Sequence, residues 1–234
     1  MTHVKICGFQ SPDAAVVAAE AGADAVGLVF VPTARRRVTV VQGEAIVSAF
    51  RERGMKEIVG MFADQPADEV NMIAERLGLD AVQLCGAEGM GYCKELRFPI
   101  LKVVAVDATI PVSAQLPKIM VLLQRHSMAG HSLVLDAKAS GEYGGTGIRF
   151  DAQLAADLAQ AFPLTVAGGL TPENVAEVVT TVRPWGVDTS SGVETDGEKA
   201  PEKVRAFVRA VREADASLHE SGLRRLLNRM AGRA

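Results

Sequence analysis

Short apolar runs alternate with longer, helically spaced stretches along nearly the whole chain. Residues 4–8, 25–30, 57–62, 81–84, 100–106, 132–136, 164–167 and 186–189 are brief and mostly apolar, the pattern of strands buried on both faces. Residues 12–22, 40–53, 66–77, 111–124, 150–161, 172–182 and 198–214 read as helices, with Cys93 on a further one. Pro66 suits a first helical turn and Gly22 a C-terminal cap. The pattern therefore predicts eight strand-then-helix units. Beyond them, Leu223, Leu226, Leu227 and Met230 recur at helical spacing opposite Arg224, Arg225 and Arg229. That describes a short amphipathic helix, expected to pack on the body or fray rather than to form a dimer contact or lie on a membrane.

Strict alternation implies parallel strands joined by right-handed crossovers. An open doubly wound sheet is the other way to build this, but no G-x-G-x-x-G opens a helix, and eight units in 234 residues suit a closed barrel. The expectation is an α/β protein with a single (β/α)8 TIM barrel over residues 1–216. Residues 217–234 form a short C-terminal helical extension, not a separate domain. In such a barrel every strand ends at one mouth. Cys7, the basic loop 33–37, Cys85, Asp136, Gly168, Gly169 and residues 190–192 should converge there despite their separation along the chain.

Composition narrows the function. Apolar residues make up 48% and charged residues 23%, enough for a large core, and the net charge of -3 gives no electrostatic reason to bind nucleic acid or anionic membrane. No apolar run reaches the length of a membrane span and the amino terminus lacks a leader pattern, so a soluble, cytoplasmic protein is expected. Cys7, Cys85 and Cys93 are odd in number and lack zinc-type spacing, which suggests neither a disulfide framework nor a metal cage.

The chemistry concentrates at strand ends. Gly168 and Gly169 follow the seventh strand, and Ser190, Ser191 and Gly192 follow the eighth, the phosphate corner of this fold, where backbone N–H groups can approach phosphate oxygens. A phosphorylated small molecule is expected there. Gly144, Gly145, Thr146 and Gly147 add a third glycine-rich segment, either a lid or a further phosphate contact. Asp136 ends an apolar strand, where it either caps a loop or, with a raised pKa, acts as general acid. Cys7 is either a small core hydrophobe or, as thiolate, a base; Cys85 competes on the same logic. Arg35, Arg36 and Arg37 are either a solvated charge run or the source of one guanidinium aimed into the mouth, and the residues alone do not choose which.

Taken together, VKICG, GADAVGLVF, the Phe30-x-Pro32 loop with arginine six residues after the phenylalanine, VQLCG, LVLDA, GGTGIRFD, AGGLTPENV and GVDTSSGVE resemble the phosphoribosylanthranilate isomerase family of tryptophan biosynthesis. The likeness spans residues 4 to about 208. It implies an Amadori rearrangement with Asp136 as general acid and Cys7 as base, without metal or organic cofactor. It also implies that Arg36 contacts the anthranilate carboxylate and that Gly145, Gly168, Gly169, Ser191 and Gly192 contact substrate. Lys5 is expected near Cys7, but with its side chain pointing the other way. The family usually has histidine where Cys85 stands, serine at Ala34 and often tryptophan at Ala152. The sister isomerase of histidine biosynthesis has aspartate rather than cysteine at the end of strand one, and a retired, ligand-binding barrel would be expected to lack Cys7 or Asp136. A monomer or homodimer is expected.

Overall fold

The computed structural model describes residues 1–138 and 152–231. Eight parallel strands close into one barrel in sequence order: β1 (His3–Cys7), β2 (Ala25–Val29), β3 (Glu57–Phe62), β4 (Ala81–Leu84), β5 (Ile100–Asp107), β6 (Ser132–Lys138), β7 (Leu164–Ala167) and β8 (Gly186–Thr189). The helices between and after them are α1 (Pro12–Ala21), α2 (Val40–Glu52), α3 (Ala67–Leu77), α4 (Met90–Cys93), α5 (Val112–Met128), α6 (Ala152–Ala161), α7 (Val175–Val182) and α8 (Pro201–Ala231). The predicted alternation and the barrel class are both present.

Local chemistry explains the boundaries. Gly22 and Gly78 end α1 and α3 in left-handed conformations that cost glycine nothing. Thr39 and Gln42 cap α2 reciprocally, the side chain of each serving the backbone N–H of the other. Apolar side chains fill the layer between strands and helices, with Ile6, Leu28, Ile58, Leu84, Phe9, Phe50, Phe62 and Phe207 fully buried. The inner face of the barrel is mixed: Val59, Ala81, Leu101, Val134 and Ala167 share it with Lys5, Gln83 and Asp188.

Three segments differ from the expectation. Residues 172–174 form a turn and α7 starts at Val175, because Asn174 accepts from Thr171 N and donates to Gly169 O, shaping a loop ahead of the helix. Residues 198–199 are not helical: Glu198–Lys199 pairs antiparallel with Glu194–Thr195, forming β10 and β9, around Asp196 and Gly197, which both have positive φ. That is a two-residue hairpin, and the helix begins only at Pro201. Finally, α8 runs without a break from Pro201 to Ala231. The stretch read as a separate short helix continues the helix that closes the barrel.

The start of the chain locks onto the middle of α8. Thr2 donates from its N–H and its hydroxyl to Asp215 at 2.7 Å each, and Arg212 donates to Thr2 O and Asp24. Phe207, fully buried on α8, anchors that closing helix. Phe207→Ala is expected to lower the unfolding free energy by about 3–5 kcal/mol in urea titration. A loss well under 1 kcal/mol would show that α8 is not needed to close the core.

Candidate active site

One cavity opens at the C-terminal ends of the strands, with an empty volume of about 640 Å3. Cys7, Gln83, Cys85, Asp136, Gly168, Gly169, Asp188, Ser191 and Gly192 line it. The ends of β1, β4, β6, β7 and β8 thus bring these residues to one place, whereas no residue of the 33–37 loop lines this cavity. Gly145 lies outside the described residues, together with the rest of the glycine-rich segment 144–147.

Cys7 sits at the end of β1, with 2% of its surface exposed. Gly27, its partner in register on β2, makes the room: a Cβ there would stand 2.5 Å from the Cys7 sulfur. Lys5 does not point away from Cys7. Residues two apart on a strand share a face, so both side chains enter the barrel. Lys5 Nζ bonds Asp188 at 2.8 Å, across the β1–β8 seam where Lys5 and Asp188 stand opposite each other. Burial pushes the Cys7 thiol up, Lys5 opposes it, Asp188 adds to the rise and Lys199 opposes it again. Two ammonium groups therefore favour the thiolate, but burial outweighs them and the Cys7 pKa lies above its ordinary value. Burial lowers the Lys5 pKa, but Asp188 and then Cys7 more than offset this, so Lys5 stays protonated.

Cys85, at the end of β4, is held mainly by burial up to about 12, with Gln83 Nε2 3.7 Å from its sulfur pulling the other way. Asp136 ends in the cavity beside Gly168, within about 3 Å of where a Cβ on that glycine would stand. Among the described residues, Gln83 Oε1 and Asp188 Oδ1 are buried and accept no hydrogen bond. Both residues line the cavity, so a hydroxyl-bearing ligand suits them. The loops after β7 and β8 are tied together by Thr189, whose hydroxyl donates to Leu170 O at 2.7 Å. Ala152 lines a second cavity behind Gly168 and Gly169, between α6 and α7, at the position where a large aromatic would pack.

The three arginines separate in space. Arg37 is exposed and the Arg35 side chain is 56% exposed, but that of Arg36 is only 12% exposed. Its chain lies over Gly8, whose φ of +85° and missing Cβ leave the space: a Cβ would meet Arg36 Cδ at 2.5 Å. Arg36 donates two hydrogen bonds to Glu194, at 2.5 and 2.9 Å. Arg35 and Lys199 reach the same carboxylate at 2.6 and 2.8 Å. Burial would raise the Glu194 pKa, but the Arg36 hydrogen bond and then Lys199 hold it at about 2. Lys199 also donates to the Ser190 carbonyl and hydroxyl, and Ser190 Oγ donates to Cys7 O at 2.9 Å.

Glu194 and Lys199, like Gln83 and Asp188, are residues that sequence reasoning did not single out. Glu194 and Lys199 lie on the β9–β10 hairpin, of which the helix reading of 198–214 had absorbed only the second strand. The signal was Asp196-Gly197, a dipeptide that favours the tight hairpin turn with two positive φ angles.

A family model described as N-(5'phosphoribosyl)anthranilate (PRA) isomerase matches residues 4–210. An N-(5'-phosphoribosyl)anthranilate isomerase of Roseiflexus castenholzii is 44% identical over 216 residues, covering 90% of this chain and 98% of that protein. The crystal structure of phosphoribosyl anthranilate isomerase from Thermotoga maritima is 32% identical with a TM-score of 0.79, covering 91% of this chain and all of that one. A phosphoribosyl anthranilate isomerase in complex with reduced 1-(o-carboxyphenylamino)-1-deoxyribulose 5-phosphate is 29% identical with a TM-score of 0.75, with the same coverage.

The Glu194 pKa sets a pH dependence of stability. Its folded value of about 2 lies below the ordinary 4.5, so its contribution is fully present above about 4.5 and is lost as pH falls through about 2. The stability gap between the wild type and Glu194→Gln is expected to shrink over that window in acid titrations of unfolding. A gap independent of pH would assign the effect to shape rather than charge.

Proposed function

The chain belongs to the N-(5'-phosphoribosyl)anthranilate isomerase family, and on that premise we propose which of its residues perform each step. It converts N-(5'-phosphoribosyl)anthranilate to 1-(2-carboxyphenylamino)-1-deoxyribulose 5-phosphate, an aldose–ketose isomerisation in tryptophan biosynthesis. The observation that carries the residue assignment is that Cys7 and Asp136, from strands β1 and β6, face one cavity whose rim holds the two glycine-rich loops.

Asp136 gives a proton to the furanose ring oxygen. The bond from that oxygen to the first sugar carbon breaks, and the nitrogen lone pair forms an iminium. Cys7, as thiolate, takes the proton from the second sugar carbon, and the electron pair released flows into an enolamine as the iminium nitrogen regains its lone pair. Proton transfer from the hydroxyl of the second carbon and protonation of the first then give the ketone. An acid and a base on separate strands can act on neighbouring atoms without quenching each other. Lys5 and Lys199 supply the positive charge that favours the thiolate, at about 1.4 kcal/mol per pK unit.

Backbone N–H groups around Gly168, Gly169, Ser191 and Gly192 receive the phosphate, with Asn174 drawing the Gly169 carbonyl aside. Gly145 belongs to the same substrate-binding set on the family motif. Asp188 Oδ1 and Gln83 Oε1 accept from sugar hydroxyls. Arg36 takes the anthranilate carboxylate. Glu194 occupies Nε and Nη2 of that guanidinium, which leaves Nη1 and the second Nη2 proton to donate to the carboxylate. No described helix is long and apolar enough to cross a membrane.

The deciding experiment gives purified protein freshly prepared phosphoribosylanthranilate and follows loss of substrate fluorescence in a coupled assay. Folded protein without turnover would overturn the assignment. Cys7→Ser and Asp136→Asn are each expected to lower kcat by about 100-fold or more with product-analogue affinity nearly unchanged. An undiminished rate in Cys7→Ser moves the base to Cys85. Arg36→Met is expected to raise KM by about tenfold or more with a smaller change in kcat; the reverse pattern removes Arg36 from carboxylate binding.

A further inference from the structure

On the outer side of the barrel, away from the mouth, Cys93, His126 and His131 meet. Cys93 closes α4, His126 stands in the last turn of α5, and His131 immediately precedes β6 at the end opposite the catalytic cavity. The thiol and one ring nitrogen of each histidine all lie within 4.8 Å of one another. None of the three takes part in the isomerase chemistry.

We propose that Cys93, His126 and His131 form a structural site for a zinc ion or a similar borderline-soft divalent cation, pinning α4 and the end of α5 to the start of β6. One sulfur and two imidazole nitrogens are a donor set zinc favours, and tetrahedral bonds of about 2.0–2.3 Å put neighbouring ligands about 3.3–3.6 Å apart. The 2.9 Å between the two Nδ1 atoms opens, and the longer separations within the set close, to that span by side-chain rotations. Cys93 and His126 are 6% and 2% exposed, so the ligands are held in place by packing, while half-buried His131 gives the way in and room for a water as fourth ligand.

The surrounding charges suit the ligand forms. Burial, then His131, then Lys102 push His126 down to about 4, and burial lowers His131, so both rings are neutral near pH 7 as ligation requires. Lys102, the nearby cation on β5, is neutralised by Glu88 at 2.6 Å. Arg125 and Glu88 are the other charged groups acting on His126. Burial keeps the Cys93 thiol protonated until a cation arrives. Without metal, the two Nδ1 atoms share one proton across 2.9 Å. A metal held through both Nδ1 atoms leaves each ring its proton on Nε2, so only Cys93 releases a proton, one per ion bound.

Cobalt(II) serves as the probe, added to metal-stripped full-length protein. The expected result is uptake of one equivalent, with visible bands of a tetrahedral ion and a near-ultraviolet thiolate-to-cobalt band. Zinc in about 100-fold excess over its Kd should raise Tm by about 5 °C or more. Cys93→Ser and His131→Gln should each weaken uptake by at least about 100-fold, beyond the loss known for outer partners of a metal site, and leave isomerase activity intact. The His131 variant distinguishes this site from the mouth thiols, since a cobalt–thiolate band that survives His131→Gln comes from Cys7 or Cys85 and overturns the proposal. Absence of uptake, or uptake with no rise in Tm, overturns it too and leaves His126 and His131 as a plain hydrogen-bonded pair.

Discussion

The barrel closes where β1 meets β8, and at that seam Lys5 and Asp188 stand opposite each other with their charges joined at 2.8 Å inside the protein. Removing one member of such a buried pair strands the other and costs about 3–5 kcal/mol, so the pair specifies the register of closure as much as it adds stability. A one-residue slip would turn Lys5 outward and Cys7 with it, because the two share a face. The same register sets Ser190 against the Cys7 carbonyl and brings the loop after β8 beside the end of β1. The placement of Cys7, the position of the loop after β8 and barrel closure are therefore consequences of one alignment.

From this seam a second electrostatic layer extends over the mouth. Glu194 gathers Arg35, Arg36 and Lys199 around one carboxylate, and Lys199 in turn holds Ser190. A single hairpin thus links the guanidinium assigned to the anthranilate carboxylate, the loop assigned to the phosphate and the charge that acts on Cys7. Salt bridges on an exposed surface contribute little. These differ because the Glu194 and Lys199 side chains are nearly buried, at 6% and 4% exposure. Their geometry fixes positions that loops of glycine and serine would otherwise leave free.

Much of this was legible from one dimension. Buried parallel strands read as apolar runs and their connections as helical spacing, so the eight units could be counted and the strand ends assigned to a common mouth. Cys7, Asp136, Gly168 and Ser191 followed from position within that count. The hairpin was lost because two residues of strand at 198–199 leave no periodicity, and a helix assigned to the charged run covered them. Only Asp196-Gly197 marked the turn. The start of α7 was misplaced for a similar reason: Asn174 bonds to Gly169 and Thr171, and no pattern of apolar residues records such a bond.

The sequence by itself determined the order of elements, the parallel closed barrel, which residues stand at the strand ends, and the family, because periodicity and motif residues are properties of local chain and spacing. Tertiary structure alone decided which arginine of three turns inward, which cations act on Cys7, and that Lys5 points with Cys7 rather than away from it. It also decided that Cys93, His126 and His131 come together. Those facts depend on distances between residues far apart in the chain: 183 positions separate Lys5 from Asp188, and 158 separate Arg36 from Glu194. Coulombic and hydrogen-bond energies are set by such distances in space, and the linear pattern does not contain them until the barrel has closed.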